Sequence, residues 1–231
     1  MLKKWEELPE NMKHDAVRPY YDILEGKKKA LAGKRLMDIL FSFILTVLLS
    51  PVMLGIAYAI WAEDKGPVFY RQERITTYGK KFRIFKFRTM VVDADKKGAL
   101  ITGKNDNRIT RVGRKLRKCR LDELPQLFNI LSGEMSFVGA RPEVEKYVNY
   151  YTEAMLATLL LPAGVTSEAS IAFKDEDELL AHYAKKGETA DEAYVKHILP
   201  RKMRYNLTYL KKAGILGDLI IMIKTVLEVI K

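Results

Sequence analysis

From Ile39 to Ala62 the chain carries no Lys, Arg, Asp, Glu or His. A straight helix of that length reaches ~36 Å at 1.5 Å per residue, enough to cross a hydrocarbon core of ~30 Å. No other stretch constrains the fold as much, because lipid-exposed backbone must satisfy its own hydrogen bonds. Two features oppose a simple crossing. Ser50-Pro51 stands near the middle, where proline removes a backbone hydrogen bond and kinks a helix. Both flanks are basic: Lys27-Lys28-Lys29 and Lys34-Arg35 precede the segment, and Lys65, Arg71, Arg74, Lys80, Lys81, Arg83, Lys86 and Arg88 follow it. Positive charge favours the cytoplasmic side, so both ends belong there. A helix bent at Ser50-Pro51 that enters and leaves by one face satisfies both constraints, each half reaching ~18 Å, about one leaflet. The expectation is a re-entrant helix, with a kinked spanning helix as the alternative. Ser50 is placed to bond a carbonyl freed by the proline.

The net charge is +11 over 231 residues. Such a balance favours a polyanionic partner: nucleic acid, anionic lipid or a phosphorylated substrate. The one cysteine, Cys119, cannot form an internal disulfide, and no Cys/His spacing fits zinc. Met1 to Lys29 is polar and charged, unlike a cleavable signal peptide. Residues 1–33 read as a basic arm, either on the surface or folded as a short helix pair. Residues 34–63 form the membrane helix and 64–231 the remaining domain.

Gly66-Pro67 marks a turn. Val68 to Gln72 and Lys81 to Arg88 are strand candidates, joined through Thr76 to Lys80 with Gly79 in the connection. Alternation puts Phe82, Ile84, Lys86 and Arg88 on one face. The two cations read either as a solvated rim or as a phosphate clamp, with Arg88 bidentate and Lys86 a point charge. Basic residues among aromatics also suit stacking on bases. Val91 to Arg111 reads as helix and loop, with a turn at Asn105 to Arg108.

The second organising stretch is Leu121-Asp122-Glu123-Leu124-Pro125-Gln126-Leu127, preceded by Arg111, Arg114, Lys115, Arg117, Lys118 and Arg120. Proline favours a first helical turn, so Asp122 and Glu123 fall at or just before a helix start. Unpaired N–H donors there keep a carboxylate ionised and attract phosphate. An acidic first turn that merely caps the helix is the plainer reading. Gly133 caps the far end. Arg141, before Pro142, is held extended and suits a fixed anion contact or an exposed loop. Leu161 to Ser167 reads as a break between helices, and Asp175 to His197 as a charged, exposed helical region. Ile215, Leu216, Leu219, Ile220, Ile223, Leu227 and Ile230 recur at helical spacing, which core packing explains first and an interfacial helix second.

Taken together, these blocks resemble those of the bacterial sugar transferases that are monotopic phosphoglycosyl transferases. They run in the family's order: Lys34-Arg35 with Asp38, Ser50-Pro51, Gly66 to Gln72, Lys86-Phe87-Arg88-Thr89-Met90, Leu121 to Leu127, Met135 to Pro142, and Ile198 to Lys202. The resemblance covers Lys34 onward. It implies an α+β, mostly helical protein: a re-entrant membrane helix, then a small cytosolic domain with a β-hairpin and interfacial amphipathic helices. It implies transfer of a sugar-1-phosphate from a UDP-sugar to polyprenol phosphate on the cytoplasmic face of the bacterial inner membrane, releasing UMP and opening a surface-glycan pathway. Asp122 matches the nucleophile that carries a covalent phosphosugar. Glu123 assists the second half-reaction, by accepting a proton or by orienting the acceptor. Mg²⁺ binds the diphosphate, with Asp122 as neighbour or ligand. Lys86, Arg88, Arg117 and Arg141 match positions where cations face phosphates. The implied partners are the UDP-sugar, polyprenol phosphate and the bilayer, with no nucleic acid beyond the nucleotide sugar.

The chain departs from the family pattern at Pro162 to Ser167, where Pro-Gly-Ile-Thr-Gly is frequent, and at Ala140, where proline is frequent. Two rivals come from other classes. A basic membrane-surface protein that binds nucleic acid or anionic lipid through Arg71 to Arg88 predicts strong salt dependence and no need for Asp122. A purely structural membrane anchor predicts no turnover.

Overall fold

The computed structural model describes residues 2–94 and 106–230. Two single turns, Trp5–Glu7 and Glu10–Met12, lead into α1 (Arg18–Glu25). Leu8, Met12, Val17, Tyr21 and Leu24 are buried against Ile75, Phe82, Leu160 and Leu210, so this segment is part of the main core.

α2 (Lys28–Asp64) runs for 37 residues. Among the described residues it is the one helix long and apolar enough to cross a membrane. The helix runs as one element through Pro51, where a bend was expected. Ser50 takes the role expected of it there. Pro51 leaves the Val47 carbonyl without its helical donor, and the Ser50 hydroxyl donates to that carbonyl at 2.8 Å. Leu31, Lys34, Asp38, Ser42, Met53 and Ile60 are buried, with Leu45, Leu49 and Ile56 half-buried between them. Steps of three and four residues put these positions on one face. Leu36, Leu40, Phe43, Val47, Leu48, Leu54 and Tyr58 on the other faces are exposed.

Both ends of α2 are held by the domain that follows. Near its start, the Lys34 ammonium donates to Ser136 Oγ at 2.5 Å and the Val138 carbonyl at 2.9 Å, and pairs with Asp218. Asp38 accepts the Phe137 N–H at 3.1 Å. At its end, Asp64 takes both Arg88 Nη atoms, at 2.6 and 2.5 Å. Glu63 accepts the Arg111 and Val112 N–H groups at the start of α3 (Arg111–Lys118).

β1 (Phe69–Ile75) and β2 (Lys81–Phe87) form the expected antiparallel hairpin, with Tyr70 opposite Lys86. Of Val91 to Arg111, residues 95–105 lie outside the described ones; Asn107 and Arg108 form a turn and Met90 bridges Ile109. A turn at Leu121–Glu123 precedes α4 (Gln126–Ser132), which ends at Gly133 with φ 87°. A second sheet was not legible. β3 (Met135–Val138) pairs in parallel with β4 (Ala163–Thr166), where a break between helices was expected. Glycine permits the pairing: a Cβ on Gly164 would lie 2.1 Å from the Gly139 nitrogen.

Short helices α5 (Glu145–Val148) and α6 (Glu153–Leu156) join the two strands, and α7 (Glu168–Ala172), α8 (Glu176–Ala184) and α9 (Ala190–Ala193) follow. Leu180, Ala193, Tyr194 and Ile198 are buried in a second core with Tyr147 and Phe173, so the Asp175–His197 region is less exposed than its charge implies. α10 (Leu199–Lys212) and α11 (Ile215–Ile230) end the chain. On α11 the apolar stripe is not core. Ile215, Leu216, Ile220, Ile223 and Leu227 are exposed, while Asp218 and Ile221 face inward. The buried Lys34–Asp218 pair turns the helix that way round.

Candidate active site

The Asp122-Glu123 pair sits in the single turn before α4, with Pro125 at the helix boundary. Arg120, immediately upstream, has φ 56° and reverses the chain out of α3. The two carboxylates differ in surroundings. Glu123 accepts from Lys86 Nζ at 3.0 Å and from Arg141 Nη2 at 2.5 Å and Nη1 at 3.3 Å. Asp122 is 8% exposed and, among the described residues, has no ion-pair partner.

Charge follows geometry. Burial opposes the ionisation of Glu123, but Arg141 and Lys86 outweigh it and hold this carboxyl well below its ordinary value. Burial pushes the Asp122 carboxyl up. Lys86 and Arg117 pull against that shift, and the Glu123 charge adds to it. Burial also lowers Lys86, against the attraction of Glu123.

Three separate elements deliver these groups. β2 carries Lys86, and Asn129 of α4 fixes that strand. Its Oδ1 accepts the Phe85 N–H at 2.8 Å and its Nδ2 donates to the Arg83 carbonyl at 3.1 Å. Arg141 follows β3, and its backbone is held on both sides. The Gly164 N–H donates to the Ala140 carbonyl at 2.8 Å, and Arg74 donates to the Pro142 carbonyl at 3.2 Å. Arg35 of α2 reaches the Ile130 and Leu131 carbonyls at 2.7 and 3.1 Å, closing the C-terminal end of α4.

Of the four cations matched to phosphates, Lys86 and Arg141 therefore meet at Glu123. Arg117 reaches Asp122 only through its field. Arg88 is placed elsewhere: it is buried, and its guanidinium is spent on Asp64 and on the Pro67 carbonyl at 2.5 Å. One residue past the end of β2, it braces the end of α2. Ser50 and Pro51 lie on α2, and Ser50 is exposed.

Two residues of the site escape a reading by motif. Asn129 is fully buried and Gln126 is 1% exposed. The signal was available, since two carboxamides three apart interrupt an otherwise apolar α4 on one face. Gln126, Glu123 and Arg141 line a cavity of about 460 Å³, walled by Leu45 and Leu49 of α2 and by Leu127, Ile130 and Phe137.

Among the described residues no three His, Cys, Asp or Glu side chains cluster as a metal cage. The donor set nevertheless fits Mg²⁺, which commonly takes one or two carboxylates plus substrate phosphates. Asp122, without an ion-pair partner among the described residues and beside two cations that suit phosphate, would supply such a carboxylate.

The family described as bacterial sugar transferase matches residues 29–231. A UDP-N-acetylgalactosamine-undecaprenyl-phosphate N-acetylgalactosaminephosphotransferase of Aeromonas hydrophila is 46% identical over 118 residues, 51% of this chain and 28% of the relative. A UDP-glucose:undecaprenyl-phosphate glucose-1-phosphate transferase of Klebsiella pneumoniae is 36% identical over 199 residues, 84% of this chain and 39% of the relative. An undecaprenyl-phosphate galactose phosphotransferase of Salmonella typhimurium is 40% identical over 151 residues, 56% of this chain and 32% of the relative. The chain thus spans less than half the length of each of these three relatives. Because the match begins at the start of α2 and takes in the turn that holds Asp122 and Glu123, the strands that bring Lys86 and Arg141, and α11, the chain belongs to the bacterial sugar transferase family.

Proposed function

We propose that this chain transfers a sugar-1-phosphate from a UDP-sugar to undecaprenyl phosphate or a similar polyprenol phosphate, through a covalent intermediate on Asp122. The observation that carries this reading is the inequality of the two carboxylates. Glu123 is neutralised by Lys86 and Arg141; Asp122 is beside them and, among the described residues, has no ion-pair partner. A nucleophile must keep a free lone pair, while the phosphate it attacks needs its charge offset.

In the first half-reaction an Asp122 carboxylate oxygen attacks the β-phosphorus. The bond from that phosphorus to the bridging oxygen breaks, and UMP leaves with the electron pair. In the second, a phosphate oxygen of the lipid attacks the same phosphorus and the Asp122 carboxylate is released. Arg141 and Lys86 face the transferring phosphate in both steps. Glu123, held ionised well below its ordinary value, is a weak proton acceptor at neutral pH. That favours its orienting role over its proton-accepting one: it holds Arg141 and Lys86 in register. Mg²⁺, bound by Asp122 and the diphosphate, would offset charge on the leaving phosphate.

The apolar exposed faces of α2 and α11 lie in the bilayer. α2 is re-entrant, supported by the anchoring of both its ends to one domain, and α11 lies in the interface with its exposed stripe toward lipid. The site then faces the cytoplasm. The nucleic-acid reading of the hairpin loses support from its ion pairs. Lys81 pairs with Glu73 and Glu145 and Arg88 with Asp64, while Arg71 lies 3.6 Å over the Phe85 ring.

The relatives' names carry three different sugars, so the test is a panel. Wild-type protein with polyprenol phosphate and Mg²⁺ should release UMP from at least one UDP-sugar. Asp122→Asn should abolish release, and donor alone should leave phosphosugar on Asp122 by mass spectrometry. An adduct on Glu123, or sequential kinetics with no adduct, would overturn the covalent route.

A further inference from the structure

The cavity of about 460 Å³ has two kinds of lining. One is apolar: Leu45 and Leu49 of α2, Leu127 and Ile130 of α4, and Phe137 of β3. The other is basic: Lys118, Arg120, Arg141 and Lys174. Two of these cations are already matched, Arg141 by Glu123 and Lys174 by Glu228. Lys118 and Arg120 are exposed and, among the described residues, have no hydrogen-bond or ion-pair partner for their side chains. Arg120 is the odder of the two. Its φ of 56° is left-handed, a conformation that glycine and asparagine adopt far more readily. An arginine stands there, two residues before Asp122, with its charge unanswered by the fold.

The occupant must match both linings. α2 and α11 wall the cavity at Leu45, Leu49 and Thr225, and the adjoining Ile44, Leu48 and Val226 are exposed. The cavity therefore lies between the two helices proposed to meet lipid. Thr166 and Thr225, 2.6 Å apart, and the Lys174–Glu228 pair fasten α11 beside it. A prenyl chain ending in a phosphate monoester has an apolar body and about two negative charges at its head. Arg141 is shared with Glu123, so such a head needs further cations, which Arg120 and Lys118 supply. Displacement at phosphorus sets the attacking and leaving oxygens roughly in line. With Asp122 on one side, UMP leaves from the other, and the lipid phosphate attacks from there. Arg141 and Glu123 line the cavity and Asp122 does not, as an approach from the side away from the nucleophile requires. Uridine and prenyl chain then diverge from one phosphate position, and the leucine-lined space suits the chain.

We propose that this cavity receives the head of the acceptor lipid, with the first prenyl units against Leu45 and Leu49 and the phosphate drawn to Arg141 by Arg120 and Lys118. This rests on the sugar-1-phosphate transfer proposed above. Arg120 and Lys118 act on the acceptor alone, so they belong to the second half-reaction and not to the first.

The test uses the full chain in neutral detergent with a short polyprenol phosphate as acceptor. Arg120→Asn removes the charge and keeps a residue suited to the left-handed backbone, so its Tm should hold. Its KM for the acceptor should rise by about tenfold, as for a lost charge-assisted bond, and Arg120→Lys should recover part of that. KM for the UDP-sugar, and the UMP released from donor alone, should stay at the wild-type level. Leu49→Trp, which fills the cavity, should likewise raise the acceptor KM and spare the donor; where it fails to fold, Arg120→Asn decides alone. A raised donor KM and a lost UMP release in Arg120→Asn would give the cavity to uridine and overturn the proposal. An effect of Arg120→Asn seen only in anionic phosphatidylglycerol vesicles, and absent in neutral detergent, would give the cations to bulk headgroups and also overturn it. A wild type that releases UMP from no UDP-sugar would sink the transfer reading and this one with it. An active wild type matched by Arg120→Asn in acceptor KM would sink this one alone.

Discussion

Adjacent carboxylates one peptide apart have been driven in opposite directions. Asp122 is raised by burial and Glu123 is depressed by Arg141 and Lys86. For activity the sign is direct: the nucleophile works only as carboxylate. The acid limb of kcat/KM should fall on the neutral side of an ordinary aspartate and belong to Asp122. Glu123→Gln should leave that limb present, while lowering the rate. The stability sign of Glu123 is the reverse case. Its ion pairs contribute fully above its unfolded value near ~4.3, and the contribution is lost as pH falls below that value toward the folded one. A pH–Tm profile would show acid destabilisation below about pH 4, after activity has already failed. The two arginines separate in the same way. Arg141→Ala should cost roughly tenfold to a hundredfold in UDP-sugar use, as expected for a charge-assisted bond of about 1.5–3 kcal/mol, and should also lower Tm because it leaves Glu123 with Lys86 alone. Arg88→Ala strands Asp64 and should lower Tm while leaving UDP-sugar use by the folded protein intact. Kinetics that fall equally at both positions, with Tm untouched, would return Arg88 to the phosphate.

Among the elements, the hairpin, the helix after Pro125 and the glycine cap at Gly133 were all legible, because each is dictated by local chemistry: alternation, a fixed proline φ, a left-handed cap. The β3–β4 pair was not. It is parallel and joins Met135 to Ala163 across short helices, so neither strand carries a turn signal to its partner. The α11 stripe misled for a related reason. Periodicity shows that a helix has two faces, but a buried Asp218 decides which one is turned inward, and only the fold reveals its partner Lys34. Arg88 shares that lesson. Alternation puts it on the face of Lys86, yet β2 ends at Phe87 and the distant Asp64 claims the guanidinium. This gives a prediction for the joint between α2 and α11. Lys34→Met leaves Asp218 buried with Tyr209 as its remaining partner at 2.8 Å, and breaking a buried pair from one side costs about 3–5 kcal/mol. Asp218→Asn should cost less than Lys34→Met, since an amide can still accept from the ammonium. Equal Tm values for the two variants and the wild type would remove the pair from the account of the fold.

At the scale of the molecule, the question is how α2 meets the bilayer. Its window of greatest hydropathy is 11% buried, yet Lys34 at one end and Asp64 at the other are fastened to the same domain. Cysteines introduced at Gly33 and Lys65 should therefore be labelled by an impermeant reagent from one side of the membrane only. Labelling from opposite sides would make α2 a spanning helix and demand that one set of these contacts be broken. Replacing Pro51 with Leu restores the missing N–H to Val47 and should shift the population toward spanning, readable in the same assay.

The pairing of Lys34 with Asp218 also has a meaning in time. The two residues are 184 positions apart, so at ~5–20 residues per second a ribosome delivers the second roughly 10–40 s after the first. Throughout that interval α2 is complete and apolar, but Lys34 has only Asp38, 4.0 Å away on the same helix, as counter-ion, and its closer partner is not yet made. Nascent chains stalled before Ile215 should remain open to protease around Gly33, and those released after Ile230 should be closed. The helix that carries Lys34 is thus locked only once α11 is made, and synthesis that stops before Asp218 leaves α2 without that clasp.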